Sequence, residues 1–163
     1  EYIFKNFGEL KNYKKVTEKI ISERTKKSIN TTGDLKKILA PLVKVKDENK
    51  FLAQVFQSIR IEVNDELEVI RTLLSDSSKY IKKGGRLVCI SYHSLEDRIV
   101  KKFIQNGGFN DEVVSDLYGN KNVIFKKVGK MITPSSEEIK LNNRSRSAKL
   151  RIAEKIWETF CPF

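Results

Sequence analysis

The change of rhythm across residues 84–90 constrains this chain more than any other feature. Up to about Lys82 apolar residues recur at helical spacing. Gly84-Gly85 then interrupts, and Leu87-Val88-Cys89-Ile90 follows as an unbroken apolar run. So short a run without polar alternation predicts a strand buried on both faces. Leu95, Ile99, Val100, Phe103 and Ile104 afterwards return to a single helical face. Helix, buried strand and helix in succession predict part of an α/β sheet.

The first half reads as all-α. Phe4, Phe7, Leu10, Tyr13, Val16 and Ile20 predict a helix over 8–24. In NTTGDLKKILAPL, Thr31 or Thr32 can cap the next turn, Asp34 suits the positive helix end, and Pro41 ends or kinks the element. Phe51, Val55, Ile59 and Val63 begin a longer apolar stripe that Leu67, Ile70 and Leu74 carry towards Lys82, with a break near Val63-Asn64. Beyond the central strand, Asn106-Gly107-Gly108 stops a helix and a polar loop runs to Asn122. VIFKKVG (123–129) has strand composition. PSSEEI reads as a short capped helix leading into a basic loop, and AKLRIAEKI fits a strand or a helix, the alternation of Ala148, Leu150 and Ile152 slightly favouring the strand. These elements group as a helical subdomain over 1–62 and an α/β part over 63–163.

Charge narrows the partners. Among 163 residues, 32 Lys+Arg against 21 Asp+Glu leave a net charge of +11. That excess suits a polyanion, because neutralising phosphates releases condensed counterions; a solvated lysine-rich surface would have the same composition. Cys89 and Cys161 form neither a CxxC pair nor metal-ligand spacing with the lone His93. No metal site is expected, and a reducing, cytoplasmic compartment is. No apolar stretch approaches the roughly 20 residues of a membrane span. The chain opens on Glu1 with no initiator methionine, which reads as a fragment.

Two clusters could carry chemistry. Ser91, Tyr92, His93 and Ser94 stand where the central strand gives way to a helix, and ligands of open α/β sheets bind outside the carboxyl ends of strands. A neutral imidazole there could accept a proton or orient an amine. Alternatively, His93 bonds loop backbone while Ser94 caps the helix with Asp97 as the acid of the capping turn. The second cluster, LNNRSRSAKLR, brings together Arg144, Arg146, Lys149 and Arg151 as candidate RNA-phosphate ligands. Arg60 and Asn64, beside the apolar stripe of FQSIRIEVNDEL, are further candidates. Neither a GxGxxG fingerprint nor a P-loop is present, so no cofactor cradle is assigned.

Several blocks in order carry a resemblance: Phe7-Gly8-Glu9, TTGDL, FQSIRIEVNDEL, GGRLVCISYHSLEDRIVKKF, PSSEEI and NNRSRSAKLRIAEK. Together they resemble the bacterial small-subunit ribosomal RNA methyltransferase H family, also called MraW. Tyr92, where many members carry Phe, and Ser145, where Ala is common, depart from the pattern.

The resemblance implies an S-adenosylmethionine-dependent enzyme that methylates N4 of a cytidine in the decoding region of 16S rRNA in the small ribosomal subunit. The implied fold is part of a Rossmann-like class I methyltransferase domain with an all-α insertion, this chain being its carboxy-terminal portion. The cofactor would be held mainly by the missing half, leaving the isolated chain inactive, and the full-length enzyme could form a homodimer. His93, Ser91 and Ser94 would then position the cytosine edge. A non-enzymatic basic RNA-binding module derived from the family is the alternative.

Overall fold

The computed structural model describes residues 1–109 and 123–157. The loop expected to reach Asn122, and Cys161, lie outside the described residues. Contacts divide the chain into Glu1–Glu66 and Leu67–Phe163, four residues beyond the boundary expected from the sequence.

The first unit holds α1 (Tyr2–Asn6), α2 (Tyr13–Arg24), α3 (Thr32–Leu39) and α4 (Glu48–Asn64). Val16, Leu39 and Val55 are completely buried at its centre. Of the helix expected over 8–24 only Tyr13–Arg24 is helical, and a separate helix, Tyr2–Asn6, precedes it. Glu9 takes a positive φ of 49°, and a Cβ on Gly8 would lie 2.9 Å from the Phe4 carbonyl oxygen. Gln54 of α4 donates to the Gly8 carbonyl at 3.0 Å. The chain turns at this point to seat against α4, a tertiary demand to which helical periodicity is blind.

Local signals fared better elsewhere. Thr31 caps α3: its hydroxyl accepts from the Asp34 amide at 3.0 Å, and the Asp34 carboxylate accepts from the Thr31 amide at 3.0 Å. Around Pro41 the helix tightens into a 3₁₀ turn, Ala40–Leu42. The break expected near Val63-Asn64 falls at Asp65, whose φ of 50° ends α4.

The second unit contains α5 (Glu66–Tyr80) from its second residue on, β1 (Arg86–Ser91), α6 (Ser94–Asn106), β2 (Phe125–Lys127), α7 (Ser136–Leu141) and β3 (Lys149–Lys155). The sheet runs β1-β3-β2, with β3 antiparallel to both neighbours. Ser91 pairs with Lys149, Cys89 with Arg151 and Leu87 with Ala153. By strand alternation these residues share one face. Against it packs α6, whose Phe103 ring lies 5.7 Å from that of Phe125. Gly107, at φ 71°, ends α6 as its sequence position suggests.

The double-sided burial expected of the central strand is not observed. Val88 and Ile90 are 57% and 58% exposed. Among the described residues α6 covers the face of Leu87 and Cys89, and no second layer lies over the face of Val88, Ile90, Leu150 and Ile152. Apolar runs report the hydrophobicity of a strand, whereas the layer on each side decides its burial.

Two long-range features were invisible in the sequence. Lys155, 3% exposed, donates through Nζ to the carbonyls of Ser78 at 2.6 Å and Ile81 at 2.7 Å, tying the end of α5 to β3. These are carbonyls that a helix end leaves without intrahelical partners. The second feature is a bulge after β2. Val128 donates to the Ile152 carbonyl, yet Ile132 pairs with Leu150, so four positions on one strand advance against two on the other. Gly129, at φ 67°, makes the turn.

Candidate functional site

The carboxyl end of β1 is closed by a doubly capped turn. His93 takes extended backbone angles and is itself the N-cap of α6: its Nδ1 accepts from the Glu96 amide at 3.4 Å. The Glu96 carboxylate reaches back to accept from the amides of Tyr92 at 2.8 Å and His93 at 3.3 Å. The expected cap is thus displaced by one residue. His93 replaces Ser94 as the cap and Glu96 replaces Asp97 as the acid, because the strand ends at Ser91 and helical geometry begins at Ser94.

This arrangement fixes the imidazole. An Nδ1 that accepts carries no proton, so the neutral ring holds its proton on Nε2. Nε2 is buried without a hydrogen-bond partner, lying 3.1 Å from a Glu96 carboxylate oxygen outside hydrogen-bonding alignment. Burial works to raise the Glu96 carboxyl, but His93 and the Tyr92 amide outweigh it and hold the group below its ordinary range. Ser91 is buried at the strand end and Ser94 is exposed on the first turn of α6. Ser91, His93 and Ser94 therefore do gather at one strand end, with His93 engaged in closing the turn.

Asp97, which sequence reasoning gave to the cap, has a different task. It is buried and accepts from Arg151 Nε at 2.6 Å and Nη2 at 3.0 Å, and from Lys149 Nζ at 3.2 Å. Burial pushes its carboxyl up, yet the Arg151 and Lys149 hydrogen bonds prevail and hold it below the ordinary aspartate range. The partners are 52 and 54 residues away, and no sequence signal announces the pairing.

The basic candidates therefore fall into two groups. Lys149 and Arg151 are bound to Asp97, a poor arrangement for donating to phosphates. Arg144 and Arg146 sit exposed on a 3₁₀ turn, Asn143–Ser147. The Asn142 side chain caps that turn by accepting from the Arg144 amide at 3.1 Å, and Ser145 Oγ donates to the Asn142 carbonyl at 2.8 Å. In the first unit, Arg60 forks onto Glu66 at 2.7 and 3.0 Å, and Asn64 donates to the same carboxylate at 3.2 Å.

The described residues do not fit the cofactor cradle that the resemblance implies. At the carboxyl end of β1 the His93 ring and the Glu96 carboxylate already occupy the amides of the turn. The glycines whose added Cβ would meet nothing are Gly84 before β1, Gly108 beyond α6 and Gly129 in the bulge, none of them in that turn. No helix among the described residues is long and apolar enough to cross a membrane.

A family model described as the MraW methylase family matches residues 1–156. The chain is similar to the ribosomal RNA small subunit methyltransferase H of Flavobacterium johnsoniae, with 52% identity over 154 residues, 94% of this chain and 51% of that protein. The protein of the same name from Cytophaga hutchinsonii is 51% identical over 149 residues, 91% of this chain and 50% of its own. That from Bacteroides fragilis is 47% identical over 154 residues, again 94% and 51%. The chain spans about half the length of the curated relatives it matches.

Proposed function

The chain belongs to the MraW methylase family, and from that premise we propose that it is one part of an S-adenosylmethionine-dependent enzyme that methylates N4 of a cytidine in small-subunit rRNA. The observation that carries this reading to a site is the closed turn at the carboxyl end of β1, which His93 caps between Ser91 and Ser94. Cytidine N4 is a weak nucleophile because its lone pair is delocalised into the ring. A site for it must above all hold the amine in line with the methyl donor.

In this reading the exposed Ser94 hydroxyl holds the cytosine edge, with Ser91 buried behind it, and His93 keeps the turn rigid. With Nδ1 engaged by the Glu96 amide, His93 acts in this reading as a positioning residue. The methyl group comes from the cofactor, whose cradle lies in the part of the family's length that this chain does not span. The β1-β3-β2 sheet is then a segment of a larger Rossmann-like sheet. Two features support this: β1 pairs along one edge only among the described residues, and Val88 and Ile90 stand uncovered.

The test uses a protein of the family's full length containing this chain. It is incubated with methyl-labelled S-adenosylmethionine and small subunits from cells lacking the modification, and the RNA is digested to nucleosides. Label in N4-methylcytidine is the expected result. Label on another nucleoside, or none, would overturn the proposal.

A further inference from the structure

We propose that the cleft between α6 and the bulge after β2 is a seat for RNA backbone phosphates, separate from the Arg144–Arg146 turn. The inference rests on RNA being the substrate. Lys101 and Gln105 of α6 form one wall; Lys127, Lys130 and Met131 form the other, with Arg151 at the base. Lys101, Lys127 and Lys130 are exposed, and no carboxylate is among the described residues that line the cleft.

Like charges gathered in one cleft repel, and the cost falls when an anion enters. Asp97, which holds Arg151, also accepts from Lys149, so it neutralises the base of the cleft and leaves the lysines at its rim. The bulge is the second, independent observation. A regular ladder would keep residues 128–132 in step with β3; the extra positions instead push Lys130 and Met131 out of the strand and over the cleft. Gly129 is required there for its φ of 67° and not for space, since an added Cβ would meet nothing within 4 Å. Bulges commonly re-aim a side chain next to a site. Ile104 of α6 is an apolar member of the lining and suits the ribose that accompanies each phosphate.

The test is RNA binding by this chain as it stands, using a fluorescein-labelled fragment of small-subunit rRNA and a salt titration. Replacing Lys101, Lys127 and Lys130 together by Gln should lower affinity at least about tenfold. The slope of log affinity against log salt should fall by roughly two to three, at about 0.7–0.9 per contact. The triple Arg variant should bind as the parent does. Replacing Lys11, Lys14 and Lys15, equally exposed but in the first unit, should cost much less.

An unchanged slope in the Gln variant would overturn the proposal, as would an equal loss in the control, which would mean that only net charge matters. Lysine-dependent binding to phosphatidylserine vesicles without lysine-dependent RNA binding would overturn it in favour of a membrane surface. None of these readouts involves methyl transfer, so failure of the cleft and failure of the methyltransferase reading are separable.

Discussion

Asp97 on α6 holds Arg151 on β3 through two parallel hydrogen bonds, 2.6 and 3.0 Å long, with Lys149 on the same carboxylate at 3.2 Å. The pair joins the first turn of the helix to the middle strand of the sheet. It stands next to the His93 cap, so the turn at the end of β1 is braced from inside the fold. With the acid 9% and the arginine 14% exposed at the side chain, water screens the interaction little, and removing one partner strands the other.

Asp97→Ala should therefore destabilise the second unit by about 2–3 kcal/mol, the range for losing a charged, hydrogen-bonded partner in a mostly dry site. Urea denaturation followed by far-ultraviolet circular dichroism measures this directly. A change below about 0.5 kcal/mol would mean that the ion pair contributes nothing net.

The same carboxyl sets a pH dependence. Its value is lowered in the folded chain, so the unfolded chain takes up the proton first as pH falls through the ordinary aspartate value of about 3.9. The stabilisation is complete above that pH, declines below it, and is gone once the folded carboxyl is also protonated. Asp97→Asn should flatten the acid limb of the stability curve below about pH 4, and denaturation across pH 2–6 compares the two chains.

For His93 the capping geometry leads to a definite expectation. His93→Ala should cost about 0.5–2 kcal/mol, as loss of an N-cap does, and His93→Asn should restore most of it. On the proposed function, methylation per folded molecule by a protein of the family's full length should then change little for Asn. A large loss of single-turnover rate in a fully folded Asn variant would show instead that the imidazole itself takes part in the chemistry.

Lys155→Met keeps the buried stem and removes the donor to Ser78 and Ile81. The helix end would lose partners for its last carbonyls, at about 1–3 kcal/mol. Hydrogen exchange monitored by mass spectrometry should show faster exchange concentrated around residues 78–84. Uniformly unchanged exchange would rule out the clamp.

Arg144 and Arg146 should separate from Lys149 and Arg151 in their effects. Replacing the first pair by Gln should leave stability within about 0.5 kcal/mol, as expected at exposed sites, while reducing the salt slope of RNA binding by about 0.7–0.9 per contact. Replacing the second pair should lower stability because Asp97 loses its partners. Measuring both properties on each double variant decides which arginines meet RNA.

The capping of α3 by Thr31, the stop at Gly107 and the strand character of residues 149–155 were all legible in the sequence. Each depends on groups within a few residues of one another, and the chain states such relations directly. The cap of α6 was legible to within one residue: the elements of a capping box were visible, but its register required knowing where β1 stops. The short α1 and the turn that delays α2 to Tyr13 were hidden, because the chain at Gly8 bends to meet Gln54 of α4.

What the sequence by itself determined is the succession of elements, the excess of positive charge, and the placing of Ser91, His93 and Ser94 at a strand end. Only the tertiary structure decided which charges remain available. Arg144 and Arg151 are alike as residues in a basic stretch, yet one stands on an exposed turn and the other is folded onto an aspartate 54 residues away. An ion pair of that kind exists only once helix and strand have packed, because loop closure must bring the partners together before their attraction counts. The bulge that brings Lys130 into a lining shared with Lys101 has the same origin, since a ladder's register belongs to two strands at once.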